Sequence, residues 1–364
     1  MAGAQAINIL VVDDSQVTRE FLVHIFSEAG IRVVGAVADG LEAVKFVNQK
    51  RPDVITMDIY MPGMNGLEAT RRIMETNPVP IVIVSGNWDP GEVDTTFRAM
   101  EAGALAVVQR PYGMGHPEHE ASVQELVRTV RLMSEVKVVR RWSIRNSLAK
   151  TGPSDGPVRV LLPERPRHIE REIKVVAVGA SAGGPPVLQK ILSGLSEDFP
   201  FPLLIVQHMA AGFLPGMLNW LGEKSRLRLC IAKNGERLLP GSAYFAPDGS
   251  HMGVNGDDTI FLSAAGPEHG ARPSISYLFR SVGRAYGGAA GAVLLTGMGS
   301  DGAEEMKSLK EKGAVTIAQD KDSSAVYGMP EAAAKLGAAV LVLSPEQITS
   351  ALGELAKNRG VQGG

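Results

Sequence analysis

A single cysteine, Cys230, leaves this 364-residue chain unable to form an internal disulfide or a thiolate metal cluster, which fits a reducing compartment. Cys230 itself reads as a small core residue. No apolar run approaches the ~20 residues needed to cross a bilayer, and no basic segment precedes the first apolar stretch, so a soluble, cytoplasmic protein without membrane insertion is expected. An excess of charge of one sign is also missing. With 37 Lys+Arg against 39 Asp+Glu the formal net charge is −2, so the whole molecule makes no electrostatic case for a nucleic-acid partner, although a local basic patch would be averaged away. There is no period-matched internal repeat. Ordinary apolar content (45%), with 41 glycines and 22 prolines, excludes collagen-like, coiled-coil and wholly disordered chains and fits α/β units. At roughly 100 to 200 residues per domain, the length suggests two of them.

Strand-length apolar runs alternate with amphipathic segments. Ile7 to Val12, Ile31 to Val37, Val54 to Met57, Pro80 to Val84 and Ala104 to Val108 alternate with helical patterns such as Val17 to Ala29 and Leu41 to Gln49. This predicts a parallel sheet covered by helices, with a first domain over residues 6 to 122. Residues 123 to 171 read as a helix over 123 to 136 followed by a linker. From Lys137 to Arg171 there are nine Lys/Arg against three Asp/Glu, broken by prolines and by Thr151 to Pro157, with Trp142 the only interleaved aromatic. A solvated connector is the plainer reading of this charge. A second α/β domain, 172 to 357, begins with the run Ile173 to Val178 and continues through Pro202 to Gln207, Arg226 to Ala232, Ser242 to Ala246, Ala289 to Thr296 and Gly313 to Ala318. Val254 to Leu262 reads as a hairpin around Gly256-Asp257-Asp258, which predicts a doubly wound, mostly parallel sheet that is mixed at one edge.

Two constellations carry chemistry. Asp13 and Asp14 follow the first strand and Asp58 the third, and in an open parallel sheet the carboxyl ends of neighbouring strands share one crevice. Three converging carboxylates repel unless a cation intervenes. Oxygen-only ligands suit Mg²⁺ better than zinc. Ser85 and Arg110 close the next two strands and place a hydroxyl and a guanidinium at the same edge, which together form a phosphoryl site with Asp58 as the attacking carboxylate. A plainer role for Asp13 and Asp14 is to cap the helix that opens at Ser15.

In the second domain, Gly179-Ala180-Ser181-Ala182-Gly183-Gly184 follows a strand and precedes a helix, leaving a serine hydroxyl exposed at a strand-to-helix turn. A phosphate-binding glycine turn would look similar. Of seven histidines only His208 directly follows a buried strand, and Asp301 follows the strand ending at Thr296, within Gly297-Met298-Gly299-Ser300-Asp301-Gly302. The order Ser181, His208, Asp301 is therefore preferred over any arrangement using His251 or His269 with Asp198, Asp248, Asp257 or Asp258, which lie in turns or hairpins. Backbone N–H groups near Met298 can serve an oxyanion. Taken alone, Asp301 reads equally well as a cap of the helix that follows it.

At these residues the first 122 positions resemble a response-regulator receiver domain. The resemblance implies a flavodoxin-like fold with Asp58 as phosphoacceptor, Asp13, Asp14 and Asp58 around Mg²⁺, and Ser85 as the switch hydroxyl. Arg110 departs from it, standing where receivers carry lysine. Residues 173 to 357 resemble the catalytic domain of the chemotaxis protein-glutamate methylesterases. The resemblance is carried further by Gln207-His208-Met209, Ala246 to Met252, Arg272-Pro273-Ser274-Ile275, Leu278 to Val282 and Val326-Tyr327-Gly328-Met329-Pro330. It implies hydrolysis of glutamyl methyl esters on methyl-accepting chemoreceptors, deamidation of particular receptor glutamines, a CheA-type histidine kinase as phosphodonor, and backbone oxyanion donors at Ala182 and Met298. Ala182 stands where well-known members carry threonine. The competing reading is a phosphorylation-dependent binding module whose basic linker meets nucleic acid, which an intact Ser181, His208 and Asp301 disfavours.

Joining a receiver to an esterase through one linker leads to the expectation that the unphosphorylated receiver occludes the Ser181 crevice. A catalytic unit beginning near residue 170 should then release methanol faster than the full chain, and equal basal rates would argue against occlusion.

Overall fold

The computed structural model describes residues 6–86, 90–136, 138 and 172–360. The chain divides into two compact units. The connector from 137 to 171, with Trp142, lies outside the described residues apart from Val138.

In the first unit the strands β1 (Asn8–Val12), β2 (Arg32–Val37), β3 (Val54–Met57), β4 (Ile81–Ser85) and β5 (Ala106–Gln109) alternate with helices α1 (Gln16–Glu28), α2 (Gly40–Gln49), α3 (Gly66–Thr76), α4 (Pro90–Glu101) and α5 (His119–Ser134). The strands form one parallel sheet in the order β2-β1-β3-β4-β5. This is the flavodoxin-like order, in which the crevice lies where the winding reverses, beside β1 and β3. Strands β3 and β4 are buried along their whole length, as expected of strands covered on both faces. Helix α5 starts at His119 and buries Leu126, Val130 and Met133 against β3, β4 and β5. The helix expected over 123 to 136 therefore belongs to the first sheet, and the boundary expected at 122 falls inside it.

The second unit is built on β6 (Val175–Ala180), β7 (Leu203–Gln207), β8 (Arg228–Ile231), β9 (Ser242–Phe245), β10 (His251–Val254), β11 (Ile260–Ser263), β12 (Ala290–Leu294), β13 (Val315–Gln319) and β14 (Leu341–Leu343). Its helices are α6 (Gly184–Ser193), α7 (Leu214–Gly222), α8 (Ile275–Ala285), α9 (Ala303–Glu311), α10 (Met329–Lys335) and α11 (Pro345–Gly360). Seven strands form a sheet in the order β14-β13-β12-β6-β7-β9-β8, and every pairing in it is parallel. The expected hairpin forms, with His251 opposite Ser263 in an antiparallel pair, but it is a separate two-stranded sheet and the expected mixed edge does not occur. The reason is burial. Met252, Val254 and Ile260 turn into the core and β10 packs on α8, where Ser281 Oγ accepts a hydrogen bond from the Val254 N–H (3.2 Å). Those contacts hold the hairpin over the core and leave β8 as the sheet edge. The short strand β14 and helix α10 were not anticipated from the sequence.

The central strands β12, β6 and β7 are buried throughout and apolar except for Gln207 at the end of β7. In register, Leu294 lies beside Gly179, and Ala180 beside Gln207. Residues that follow these three strands therefore emerge side by side at one edge, where the chain winds away from β6 in both directions.

Candidate active site

Ser181 follows β6, His208 follows β7 and Asp301 follows β12, so the three residues leave adjacent strands at the same edge. His208 Nε2 lies 3.1 Å from Asp301 Oδ2, an ion-pair distance short of good hydrogen-bond alignment. With Nε2 turned to the carboxylate, Nδ1 is the ring nitrogen left to act as a base.

Asp301 is 4% exposed, and a buried carboxylate needs several donors to remain charged. It does not cap the helix that follows it, since the N-cap of α9 is Gly302. Instead it meets the N-terminus of α8, which begins almost thirty positions earlier in the chain. Oδ1 accepts from Ser274 Oγ (3.0 Å) and Ser276 N–H (2.8 Å), and Oδ2 from Ile275 N–H (2.8 Å). The unsatisfied amides and the dipole of a helix start favour an anion there. Burial alone would raise the Asp301 carboxyl, but the contact with His208 and its charge, then Ser276 and the Ile275 N–H, hold it far below the usual carboxylate range. Ser274 and Ser276 were missed as site residues. The available signal was a serine directly before a helical run, which marks an N-cap, and Ser274 Oγ does accept from the Tyr277 N–H (3.3 Å).

The turn at Ser181 is fixed by its neighbours. Its N–H donates to Thr296 O (3.0 Å), and Gly183 takes a left-handed backbone (φ 71°) as the cap of α6. A side chain on Gly297 would put a Cβ 2.5 Å from Ser181 Cβ, so this glycine is required by packing against Ser181. The buried Thr296 hydroxyl donates to Ala182 O (2.9 Å) and accepts from the Val326 N–H (2.9 Å), tying the turn to the loop before α10. The N–H groups of Ala182 and Met298 have no hydrogen-bond partner among the described residues.

Four of the rejected alternatives are engaged elsewhere. His251 is fully buried, stacked on Tyr277, with Nε2 against Gly266 O (2.9 Å) and Nδ1 accepting from the Ser274 N–H (3.1 Å). Asp248 accepts from Gly212 N–H, Asp257 from Thr259 and Asp258 from the Tyr286 hydroxyl. Cys230, on β8, is only half-buried, with its thiol toward Ala243 O, and burial raises its pKa.

In the first unit the acidic residues do converge. One carboxylate oxygen from each of Asp13, Asp14 and Asp58 lies within 4.8 Å of the others, with Asp13 and Asp58 buried and Asp14 exposed. Ser15 itself is the N-cap of α1, so capping does not explain the aspartates, although Asp13 Oδ1 accepts from the Ser15 N–H (2.9 Å). Arg19, not singled out from the sequence, donates to the carbonyls of Asp13 and Asp14 (2.7 and 2.8 Å) and fixes the loop. Arg110 Nη2 reaches Asp13 Oδ2 (3.2 Å) and Asp58 Oδ1 (3.7 Å). Ser85 is buried at the end of β4, where its carbonyl accepts from the Arg110 N–H (2.7 Å). Burial, then the neighbouring Asp13, push the Asp58 carboxyl up to about 6 against the opposing pull of Arg110, and burial also raises Asp13. An all-oxygen set still repelling itself beside one guanidinium fits a hard divalent cation.

A phosphoacceptor-type acidic pocket in one α/β unit and a serine, histidine and aspartate at the switch point of another define the class: a response regulator with a hydrolase-type effector. Residues 9–118 match the family model described as response regulator receiver domain, and residues 176–352 the one described as CheB methylesterase. A protein-glutamate methylesterase/protein-glutamine glutaminase of Nitrosospira multiformis is 54% identical over 355 residues, covering 97% of this chain and 98% of that one. One of Geobacter metallireducens, numbered 4, is 55% identical over 355 residues, covering 97% and 100%. The crystal structure of the Thermotoga maritima CheB methylesterase catalytic domain is 35% identical and covers 50% of this chain and 98% of its own, with a TM-score of 0.49. The chain belongs to the protein-glutamate methylesterase/protein-glutamine glutaminase family.

The elevated Asp58 carboxyl has a thermodynamic consequence. Unfolded, the group titrates near 3.8; folded, near 6. Between these values the folded state binds the extra proton, so stability falls as pH rises from about 4 to 6 and the penalty is complete above 6. Without divalent cations, Asp58→Asn should stabilise the first unit at pH 7 by on the order of 2–3 kcal/mol. The gain should shrink below pH 6 and vanish below pH 4. Urea unfolding across that range tests it, and a gain independent of pH would assign the effect to something other than ionisation.

Proposed function

We propose that this chain is a protein-glutamate methylesterase controlled by phosphorylation of its receiver, acting on glutamyl methyl esters of methyl-accepting chemoreceptors and deamidating receptor glutamines. The observation that carries the reading is the pairing of His208 Nε2 with a buried Asp301 whose carboxyl is held low, the two following the strands that flank β6, after which Ser181 stands. His208 Nδ1 takes the proton as Ser181 Oγ attacks the ester carbonyl. The negative charge moves to the carbonyl oxygen, where the N–H groups of Ala182 and Met298 receive it. As the tetrahedral carbon collapses, His208 returns the proton to the departing methoxide, which leaves as methanol. Water, deprotonated by His208, then attacks the acyl-serine and frees the glutamate carboxylate. With a glutamine substrate the same steps release ammonia.

In the receiver, Asp58 is the phosphoacceptor for a CheA-type histidine kinase, and Asp13, Asp14 and Asp58 would hold Mg²⁺. The ion would offset the charge of the carboxylates and the incoming phosphoryl oxygens. Arg110 takes the place of the usual lysine contact. Its Nη2 already lies near Asp58, and its Nε is buried without a partner among the described residues, leaving a donor for a phosphoryl oxygen. Ser85 supplies the hydroxyl.

Methanol release from a receptor methylated at glutamate tests the reading. Ser181→Ala should lower kcat by several orders of magnitude, and Asp301→Asn by about 10³–10⁴, as when other triads lose their orienting acid. A Ser181→Ala variant that hydrolyses at the wild-type rate would end the assignment.

The regulatory half has its own outcome. A small-molecule phosphodonor with Mg²⁺ should raise the rate of the full chain, and Asp58→Asn should abolish that increase while leaving basal hydrolysis in place. An undiminished increase in Asp58→Asn would place the phosphoacceptor elsewhere.

A further inference from the structure

Gln207 ends β7 immediately before His208 and is 7% exposed. Its side-chain nitrogen donates two hydrogen bonds, one to Ser181 O (2.9 Å) and one to His208 O (2.8 Å). Both partners are carbonyl oxygens, so the group facing them must be the amide NH₂ and not the amide oxygen. The other end of the amide, Oε1, is buried with no hydrogen-bond partner among the described residues, and it lies so close to the first turn of α6 that a Cβ on Gly184 would come within 2.2 Å of it. An amide whose only role was to satisfy the interior would not leave its acceptor unpaired, since a buried polar atom without a partner is destabilising. What the side chain does achieve is to bind the main chain of the nucleophile and the main chain of the base with one rigid, planar group.

We propose that Gln207 is a positioning residue that aims the Ala182 N–H of the oxyanion site. The peptide unit between Ser181 and Ala182 is planar and trans, so the Ser181 C=O and the Ala182 N–H point in opposite directions. Gln207 from one side and the Gly184 N–H (2.8 Å) from the helix pin the Ser181 oxygen inward. The Ala182 N–H is thereby turned outward, toward the crevice. The second bond, to His208 O, fixes the imidazole's backbone to the same amide, so the donor that receives the oxyanion and the base that moves the proton share one anchor. Substrate binding does not pass through this group. Its loss therefore acts on the transition state, where charge develops on the oxyanion, more than on the ground state. This inference rests on the esterase reading and extends it to how the oxyanion donor is held.

The test uses the full chain and methanol release from a receptor methylated at glutamate. Gln207→Met keeps length and volume and removes both donors and the unpaired acceptor. We expect kcat to fall about tenfold or more with KM within about twofold of wild type and a melting temperature within about 3 °C. Gln207→Glu, which has the same shape but turns carboxylate oxygens toward both carbonyls, should be slower still. A Gln207→Met kcat within about twofold of wild type, or a loss carried by KM, overturns the role; should that variant not fold, the isosteric glutamate variant decides by the same criteria. Ser181→Ala assayed in parallel separates the two levels. If it remains active, the esterase reading itself fails, whereas an inactive Ser181→Ala beside a fully active Gln207→Met removes only the role of Gln207.

Discussion

The second unit is organised around one buried charge. Asp301 sits inside the protein with three donors from the start of α8 and one imidazole around it. Removing that helix start would leave an ion in a low-dielectric interior, a far larger penalty than a surface ion pair would carry. The position of α8, the orientation of His208 and the closeness of β12 to β6 are therefore not separable features. Each is a condition for the carboxylate to remain ionised, and its ionisation is what keeps His208 oriented. The hairpin β10–β11, held over the core by its buried apolar residues, adds to this: His251, at its first position, accepts the Ser274 N–H at the helix start.

Both units place aspartates beyond the carboxyl ends of parallel strands, yet the two sites solve the electrostatics in opposite ways. Around Asp301 the donors outnumber the burial penalty and the carboxyl is held low; around Asp58 burial and a neighbouring carboxylate prevail over one arginine and the carboxyl rises to about 6. The first arrangement is complete in itself and suits a group whose charge must not change during a reaction. The second is unsatisfied in isolation, and any cation or covalent change at Asp58 shifts its balance by several kcal/mol. A carboxylate held low at one site and one pushed up at the other are what the proposed esterase mechanism and the proposed switch respectively call for.

Much of this was legible in the sequence because buried parallel strands read as continuous apolar runs and because polar residues directly after such runs must lie at the sheet edge. That logic put Asp13, Asp14, Asp58, Ser85, Arg110, Ser181, His208 and Asp301 at the carboxyl edges of the two sheets, where they lie. It could not foresee that Asp301 caps α8 and not α9, because the partner helix lies almost thirty residues earlier and only the tertiary fold brings the two together. Nor could it tell an edge strand from a hairpin seated on the core, since Met252, Val254 and Ile260 give the same alternation in either place. Gln207 and Thr296 were hidden for a related reason. They act through backbone carbonyls and amides, groups every residue carries, and only coordinates show which ones they meet. The three-residue strand β14 is too short to register as a period.

The strand order of the second unit also bears on how the protein is made. The middle strand of the site, β6, is synthesised first, its neighbour β7 soon after, and β12 only when some 110 further residues have followed β6. Until then the β12-side edge of β6 is unpaired, the situation in which strands pair with the wrong partner. On the proposed mechanism a ribosome-bound chain lacks Asp301 for most of its synthesis, and its dependence on chaperones should be greatest in the interval between the emergence of β7 and that of β12.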